Sequence, residues 1–292
     1  MKKIIFAFPG NEALARKMSL MSEVESGEIE LRNFPDRETY VRILSDVKGK
    51  MVIIVATLHP PNEMFLPLFF LAKTAKSLGA ERVELVAPYL AYMRQDKIFN
   101  PGEGVTSEYF AELLSGFVDS LITIDPHLHR RKSLSQIYSI PAKAVSAVDP
   151  IALWIEKNVA HPFLIGPDSE SEQWVSEIAS KIKIPFVILA KVRHGDRDVE
   201  VSLPDLERFK SFTPVLIDDI ISTARTMIEA TIQLVEAGTN PPICIGVHAV
   251  FSGKAYQDLL KSGVAKIITC NTIFHESNAI DISKLLTQKL KK

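Results

Sequence analysis

Apolar runs of strand length recur along the first half of the chain, at Ile4–Phe8, Val52–Ala56, Val83–Ala87 and Leu121–Ile124, and alternate with helical-period segments near Asn62–Leu78 and Thr106–Ser115. After about residue 146 the alternation restarts. A helix near Pro150–Lys157, a strand at Phe163–Ile165, a helix at Ser171–Lys181 and strands at Phe186–Leu189 and Val215–Ile217 lead into a further helix, then strands at Ile243–Val250 and Lys266–Cys270. Continuous apolar strands separated by helices predict parallel sheets with both faces covered. Two rounds predict two α/β domains, residues 1–146 and 147–292, with the last strand or helix free to pack back on the first. Leu121–Asp125 (LITID) and Val215–Asp219 (VLIDD) are both apolar strands ending in acid, an echo that a duplicated unit would produce.

Composition adds a class. Hydrophobic residues make up 47% and charged residues 24% of 292, the balance of a soluble globular protein. A formal net charge of -1 and the lack of a basic stripe argue against a nucleic-acid partner. Cys244 and Cys270 each lie in a β-branched run, which predicts reduced core residues and fits a cytoplasmic setting. The run at Ile4–Phe8 is cut by Pro9-Gly10 and reads as the first strand, not a signal peptide. Met64–Ala72 is interrupted by Pro67 and falls far short of the ~20 residues that span a bilayer, so no membrane segment is expected.

The densest chemistry lies between Pro214 and Ala237. A short apolar strand meets Asp218 and Asp219, a hydroxyl-rich turn follows at Ser222, Thr223 and Thr226, and a helix begins. Ile228, Ile232 and Val235 predict its apolar face, and Gly238 its left-handed cap. In an open α/β sheet this order aims a helix N-terminus, with its free N–H groups, at whatever binds beyond the strand. Hydroxyls beside it suit phosphate oxygens, and the two acids suit vicinal hydroxyls. Together they describe a ribose 5-phosphate moiety, although Asp-Asp alone also reads as a strand-end turn before a helix cap.

Other stretches carry weaker chemistry. Phe34, Asp36 and Glu38 lie on a turn entering a β-hairpin arm, where an exposed ring and two acids suit a purine and its amine, or merely an edge strand. Arg94, Gln95, Asp96 and Lys97 gather on a loop after a strand, suited to anionic oxygens or to solvent. Asp125-Pro126-His127 ends a strand with groups suited to a divalent cation or to an ordinary turn, and Asp168 takes the same strand-end position before a helix whose N-terminus the following acids assist. The His129-Arg130-Arg131-Lys132 run reads as a solvated basic turn. Alternation points Lys191 and Arg193 the same way at the edge of His194–Val201, the most loop-like stretch of the chain.

Taken in order, the segments 34–38, 88–96, 125–127, 167–168, 191–193 and 218–226 resemble the ribose-phosphate pyrophosphokinase (PRPP synthetase) family over nearly the whole chain. The resemblance implies two tandem phosphoribosyltransferase-like (type I) domains, each a mostly parallel sheet flanked by helices. It also implies transfer of the diphosphoryl group of ATP to the C1 hydroxyl of ribose 5-phosphate, giving PRPP and AMP. Arg94, Gln95 and Asp96 would then hold ATP, with Phe34, Asp36 and Glu38 reaching it from a neighbouring subunit of a homo-oligomer, dimer or hexamer. His127 and Asp168 would place Mg²⁺, Lys191 and Arg193 would close over the reacting phosphates, and Asp218, Asp219, Ser222, Thr223, Ala224, Arg225 and Thr226 would hold ribose 5-phosphate. The chain departs from the family where Ala224-Arg225 replace a Gly pair, Ser222 replaces an acid, and Ser169-Glu170 replace glycines. A non-catalytic relative and a PRPP-consuming phosphoribosyltransferase are the rival implications.

Overall fold

The computed structural model describes residues 1–194, 198–202 and 207–290, the side chains of 190–194, 198–202 and 207 excepted. They divide into one unit of 1–146 plus 282–292 and a second of 147–281.

Unit 1 runs β1 (Lys3–Ala7), α1 (Glu12–Ser22), β2 (Glu25–Ser26), β3 (Ile29–Asn33), β4 (Thr39–Ile43), β5 (Met51–Val55), α2 (Pro61–Ser77), β6 (Arg82–Ala87), α3 (Thr106–Ser115), β7 (Ser120–Ile124) and β8 (Ala142–Val145). Its sheet is wholly parallel, in the order β2-β1-β5-β6-β7-β8. The central strands are buried almost end to end because helices flank the sheet, which is why they read as unbroken apolar runs. β3 and β4 form a separate antiparallel hairpin.

Unit 2 runs α4 (Val148–Asn158), β9 (Pro162–Gly166), α5 (Glu172–Ile182), β10 (Phe186–Ile188), β11 (Ala190–His194), β12 (Asp198–Ser202), β13 (Thr213–Ile221), α6 (Arg225–Glu236), β14 (Ile243–Ala249), α7 (Ala255–Lys261), β15 (Lys266–Cys270) and β16 (Asn278–Ile280). Its parallel sheet has the order β10-β9-β13-β14-β15-β16, with β11 and β12 as a second antiparallel hairpin. The chain then gives α8 (Ser283–Leu290) to unit 1, where it packs on α1.

Strand for strand the two sheets have one topology, with β1, β5, β6 and β7 of the first standing where β9, β13, β14 and β15 stand in the second. The LITID and VLIDD echo is out of register with this correspondence. LITID is on β7, whose counterpart is β15, whereas VLIDD is on β13, whose counterpart is β5. Two strands ending in acid look alike locally, and only the sheet order reveals which are equivalent.

Three further expectations change. The described part of 194–201 is not loop: Asp198–Ser202 pairs with Ala190–His194. On α6 the buried stripe is Met227, Ala230, Thr231 and Leu234, while Ile232 and Val235 are each 41% exposed. The small residues win this face because α6 lies close to β14, the Thr231 hydroxyl standing 3.8 Å from Cys244 Sγ. Helices α1 and α7 escaped the sequence pattern because each presents a narrow stripe, Leu14, Ala15 and Met18 in one, Ala255 and Leu259 in the other. Both cysteines are buried and outside any disulfide, and burial pushes the Cys244 thiol up to about 12. Among the described residues no helix is long and apolar enough to cross a membrane.

Candidate active site

In unit 2 the chemistry gathers beyond the carboxyl ends of β9, β13 and β14. β13 does not stop at Ile217: it continues through the two acids to Ile221, because Asp218, Ile220 and Ile221 stay in register with Gly246, His248 and Ala249 of β14. The acids therefore sit on strand backbone, more rigid than a turn. The Asp218 carboxylate accepts the backbone N–H of Asp219 at 2.9 Å. Burial first, then the Asp219 and Asp168 carboxylates, hold the Asp218 pKa well above the usual carboxylate range. Three mutually repelling carboxyl groups form a set of hard oxygen donors, which a divalent cation or hydroxyl donors would relieve. Asp168 caps the short turn before α5, its Oδ1 accepting Glu170 N–H at 3.1 Å, and the Ser171 hydroxyl donates to its carbonyl at 2.6 Å.

The turn after β13 is anchored from a place sequence reading missed. Phe251 N–H donates to Ile221 O at 2.8 Å, Ser252 N–H donates to Ser222 O at 2.9 Å, and the two hydroxyls lie 3.2 Å apart. The loop after β14 thus continues the strand pairing into the turn. The only sequence signal for this was Ser252-Gly253 after an apolar strand. Ala224, buried, takes φ +58° at the N-cap of α6, so the turn demands a left-handed residue although no glycine is present. Thr223 and Arg225 beside it are exposed. Gly238 terminates α6 at φ +77°, as its position predicted.

Unit 1 assembles its groups at the tip of its β3–β4 hairpin and beyond the carboxyl ends of β6 and β7. Phe34 lies at the hairpin tip, 41% exposed and edge-on to Tyr40 at 5.7 Å, with the Arg32 guanidinium over both rings at 5.0 and 4.2 Å. Asp36 and Glu38 are exposed there, and Asp36 accepts the Glu38 N–H at 3.2 Å. After β6, Arg94 is exposed, and Gln95 Oε1 accepts the Thr106 hydroxyl at 2.9 Å. Asp96 faces inward. Arg130 Nη1 reaches its Oδ1 at 3.1 Å, and Arg131 Nη2 reaches its carbonyl at 3.3 Å and Glu108 Oε1 at 2.9 Å. The basic run 129–132 is therefore not a freely solvated turn, because two of its side chains have acids within reach across the fold. His127 and His129 bring their rings to 3.8 Å between centroids. The Lys191 and Arg193 side chains lie outside the described ones. Backbone pairing sets those residues opposite Val201 and Val199.

Two parallel sheets of one topology, each with an antiparallel hairpin, and an acid-and-hydroxyl turn at a helix N-terminus define a protein of the phosphoribosyltransferase fold. Residues 3–117 match the N-terminal domain of ribose phosphate pyrophosphokinase, and residues 133–282 match the phosphoribosyl transferase domain. Ribose-phosphate pyrophosphokinase of Sulfolobus acidocaldarius is 32% identical, the alignment covering 90% of this chain and 91% of the relative. That of Sulfurisphaera tokodaii is 30% identical, covering 98% and 100%. The crystal structure of phosphoribosylpyrophosphate synthetase from Mycobacterium smegmatis superposes with a TM-score of 0.86 over 100% of this chain and 98% of its own, at 23% identity. The chain belongs to the ribose-phosphate pyrophosphokinase family.

Proposed function

We propose that this chain transfers the intact diphosphoryl group of ATP to ribose 5-phosphate. The C1 hydroxyl oxygen attacks the β-phosphorus, the bridging bond between the α- and β-phosphates breaks, the hydroxyl proton is lost, and PRPP and AMP are the products. The observation that carries this reading is the placing of Asp218 and Asp219 on the end of β13, directly before the hydroxyl turn and N-terminus of α6. Acids there accept from the ribose hydroxyls, and the free N–H groups of α6 with Ser222, Thr223 and Thr226 receive the 5-phosphate. Ala224 supplies the turn's backbone shape, and Arg225 adds a guanidinium at its rim.

Arg94 and Gln95, on the loop that Asp96 anchors, make the ATP side, with Phe34, Asp36 and Glu38 contributed by a neighbouring copy in a homo-oligomer. His127 and Asp168 would hold Mg²⁺, which when bound supplies positive charge against the phosphate oxygens. Lys191 and Arg193, on a hairpin arm, offset charge that develops as the phosphoryl oxygens crowd together. Lys191 acts mainly in the transition state, so Lys191→Ala lowers kcat about 10²- to 10³-fold with little change in KM.

Incubation with ATP, Mg²⁺ and ribose 5-phosphate, followed by phosphorus resonances, tests the reading. PRPP and AMP are expected to appear together and stoichiometrically, and to form about 10²- to 10³-fold more slowly in Lys191→Ala. Binding of both ligands without AMP would instead mark a non-catalytic relative. Consumption of added PRPP with a nucleobase would mark a phosphoribosyltransferase.

A further inference from the structure

The Asp96 carboxylate is 1% exposed, while the Arg130 side chain that meets it is 37% exposed. A carboxylate so enclosed needs a counter-charge, and Arg130 Nη1 supplies it to both oxygens, at 3.1 and 3.4 Å. The same residue is gripped through its backbone by Arg131, which also meets Glu108 on α3. One position earlier, the Gln95 carbonyl accepts Ser107 N–H at 3.3 Å, and its side chain accepts the Thr106 hydroxyl. Met93, on the other side of Arg94, is 2% exposed. Exposed Arg94 is thus carried between two buried anchors, one of them tied to the turn that also bears His127. The Phe99 ring takes Lys97 Nζ at 5.0 Å and Arg130 Cζ at 5.6 Å, adding a second contact between the loop and that turn.

An acid beside a triphosphate would repel it, and this one is buried with its charge offset by Arg130. We propose that Arg130 is a positioning residue: through Asp96 it fixes the 94–97 loop so that Arg94 and Gln95 meet the nucleotide phosphates, and Asp96 itself is a strut and not a ligand contact. This rests on the reading that the loop binds ATP.

The test is calorimetric binding of ATP with Mg²⁺ but without ribose 5-phosphate, together with separate KM values for the two substrates. Arg130→Gln is expected to weaken ATP binding and raise KM for ATP about 10- to 100-fold, the scale of a small misplacement of aligned groups, while KM for ribose 5-phosphate stays put. Combining Asp96→Asn with Arg130→Gln restores a neutral hydrogen-bonded pair and is expected to recover most of the affinity. If Arg130→Gln does not fold, Arg130→Lys and the double variant carry the same comparison. Wild-type ATP affinity in Arg130→Gln, or equal losses for both substrates in step with the melting temperature, would overturn the proposal alone. Wild-type protein that fails to bind ATP, or an Arg94→Ala variant that binds it normally, would overturn the nucleotide reading and this proposal with it.

Discussion

Ala224 occupies a left-handed conformation at φ +58°, which costs an L-residue about 1–2 kcal/mol. Glycine would remove that strain, but it would add about 0.5–1 kcal/mol of unfolded-chain entropy and uncover a buried methyl worth about 0.8 kcal/mol. The terms nearly cancel. Ala224→Gly is therefore expected to fall within about 1 kcal/mol of wild type in urea unfolding, whereas β-branched Ala224→Val loses about 2–4 kcal/mol. Asp218 behaves differently because its energetics depend on pH. Its proton is held more tightly in the folded protein than in the unfolded chain, where it titrates near 4. Its contribution to stability is whole below about pH 4 and is lost as pH rises through the raised folded pKa. Asp219→Asn removes one repelling neighbour, so without divalent cations it should raise the melting temperature at pH 8 by roughly 2–4 °C, and far less at pH 4. The acids were legible in the sequence because strand, acid, hydroxyl and helix follow one another along the chain. Arg130, Arg131 and Ser252 were not, since their partners are fixed by folding across 20 to 30 positions or more, and no local period records that.

At the scale of elements, β9 hands its last residue, Gly166, to the turn that bears Asp168. A methyl added at Gly166 would meet the Ser171 hydroxyl and stand 2.6 Å from Ile188 Cδ1. Ser171 is the residue whose hydroxyl ties the Asp168 carbonyl, so it cannot yield without moving the acid. Gly166→Ala would gain about 0.4–1 kcal/mol through the unfolded chain, but overpacking at about 1–3 kcal/mol prevails. Denaturant unfolding should show a net loss, and calorimetry should show weaker divalent-cation binding. The parallel strands were readable because burial on both faces leaves them wholly apolar. The stripe of α6 was misplaced because large apolar residues mark a face only when the space beneath accepts them. Against β14 the space accepts Ala230 and Thr231, which leaves Ile232 and Val235 toward solvent.

On the scale of the whole molecule, unit 1 is closed by α8, drawn from beyond unit 2. Leu286 and Leu290 are buried there, the Thr287 hydroxyl donates to Ser283 O at 2.7 Å, and Lys3 Nζ donates to the Leu290 carbonyl. Deleting residues 283–292 forfeits burial worth roughly 3–6 kcal/mol, a large share of a domain's usual 5–15. The loss should fall on unit 1. Both tryptophans, Trp154 and Trp174, belong to unit 2, so the fluorescence transition should hold its midpoint while amide exchange quickens in β1 and β5.

A ribosome making this chain has not finished unit 1 when residue 146 is in place, because the helix that completes it is encoded after unit 2. Residues 147–281 are contiguous, so unit 2 has its full complement of strands and helices first, and the order of completion reverses the order of translation. Until α8 emerges, the apolar side of α1 stays open to chaperones and to the same helix of another nascent copy.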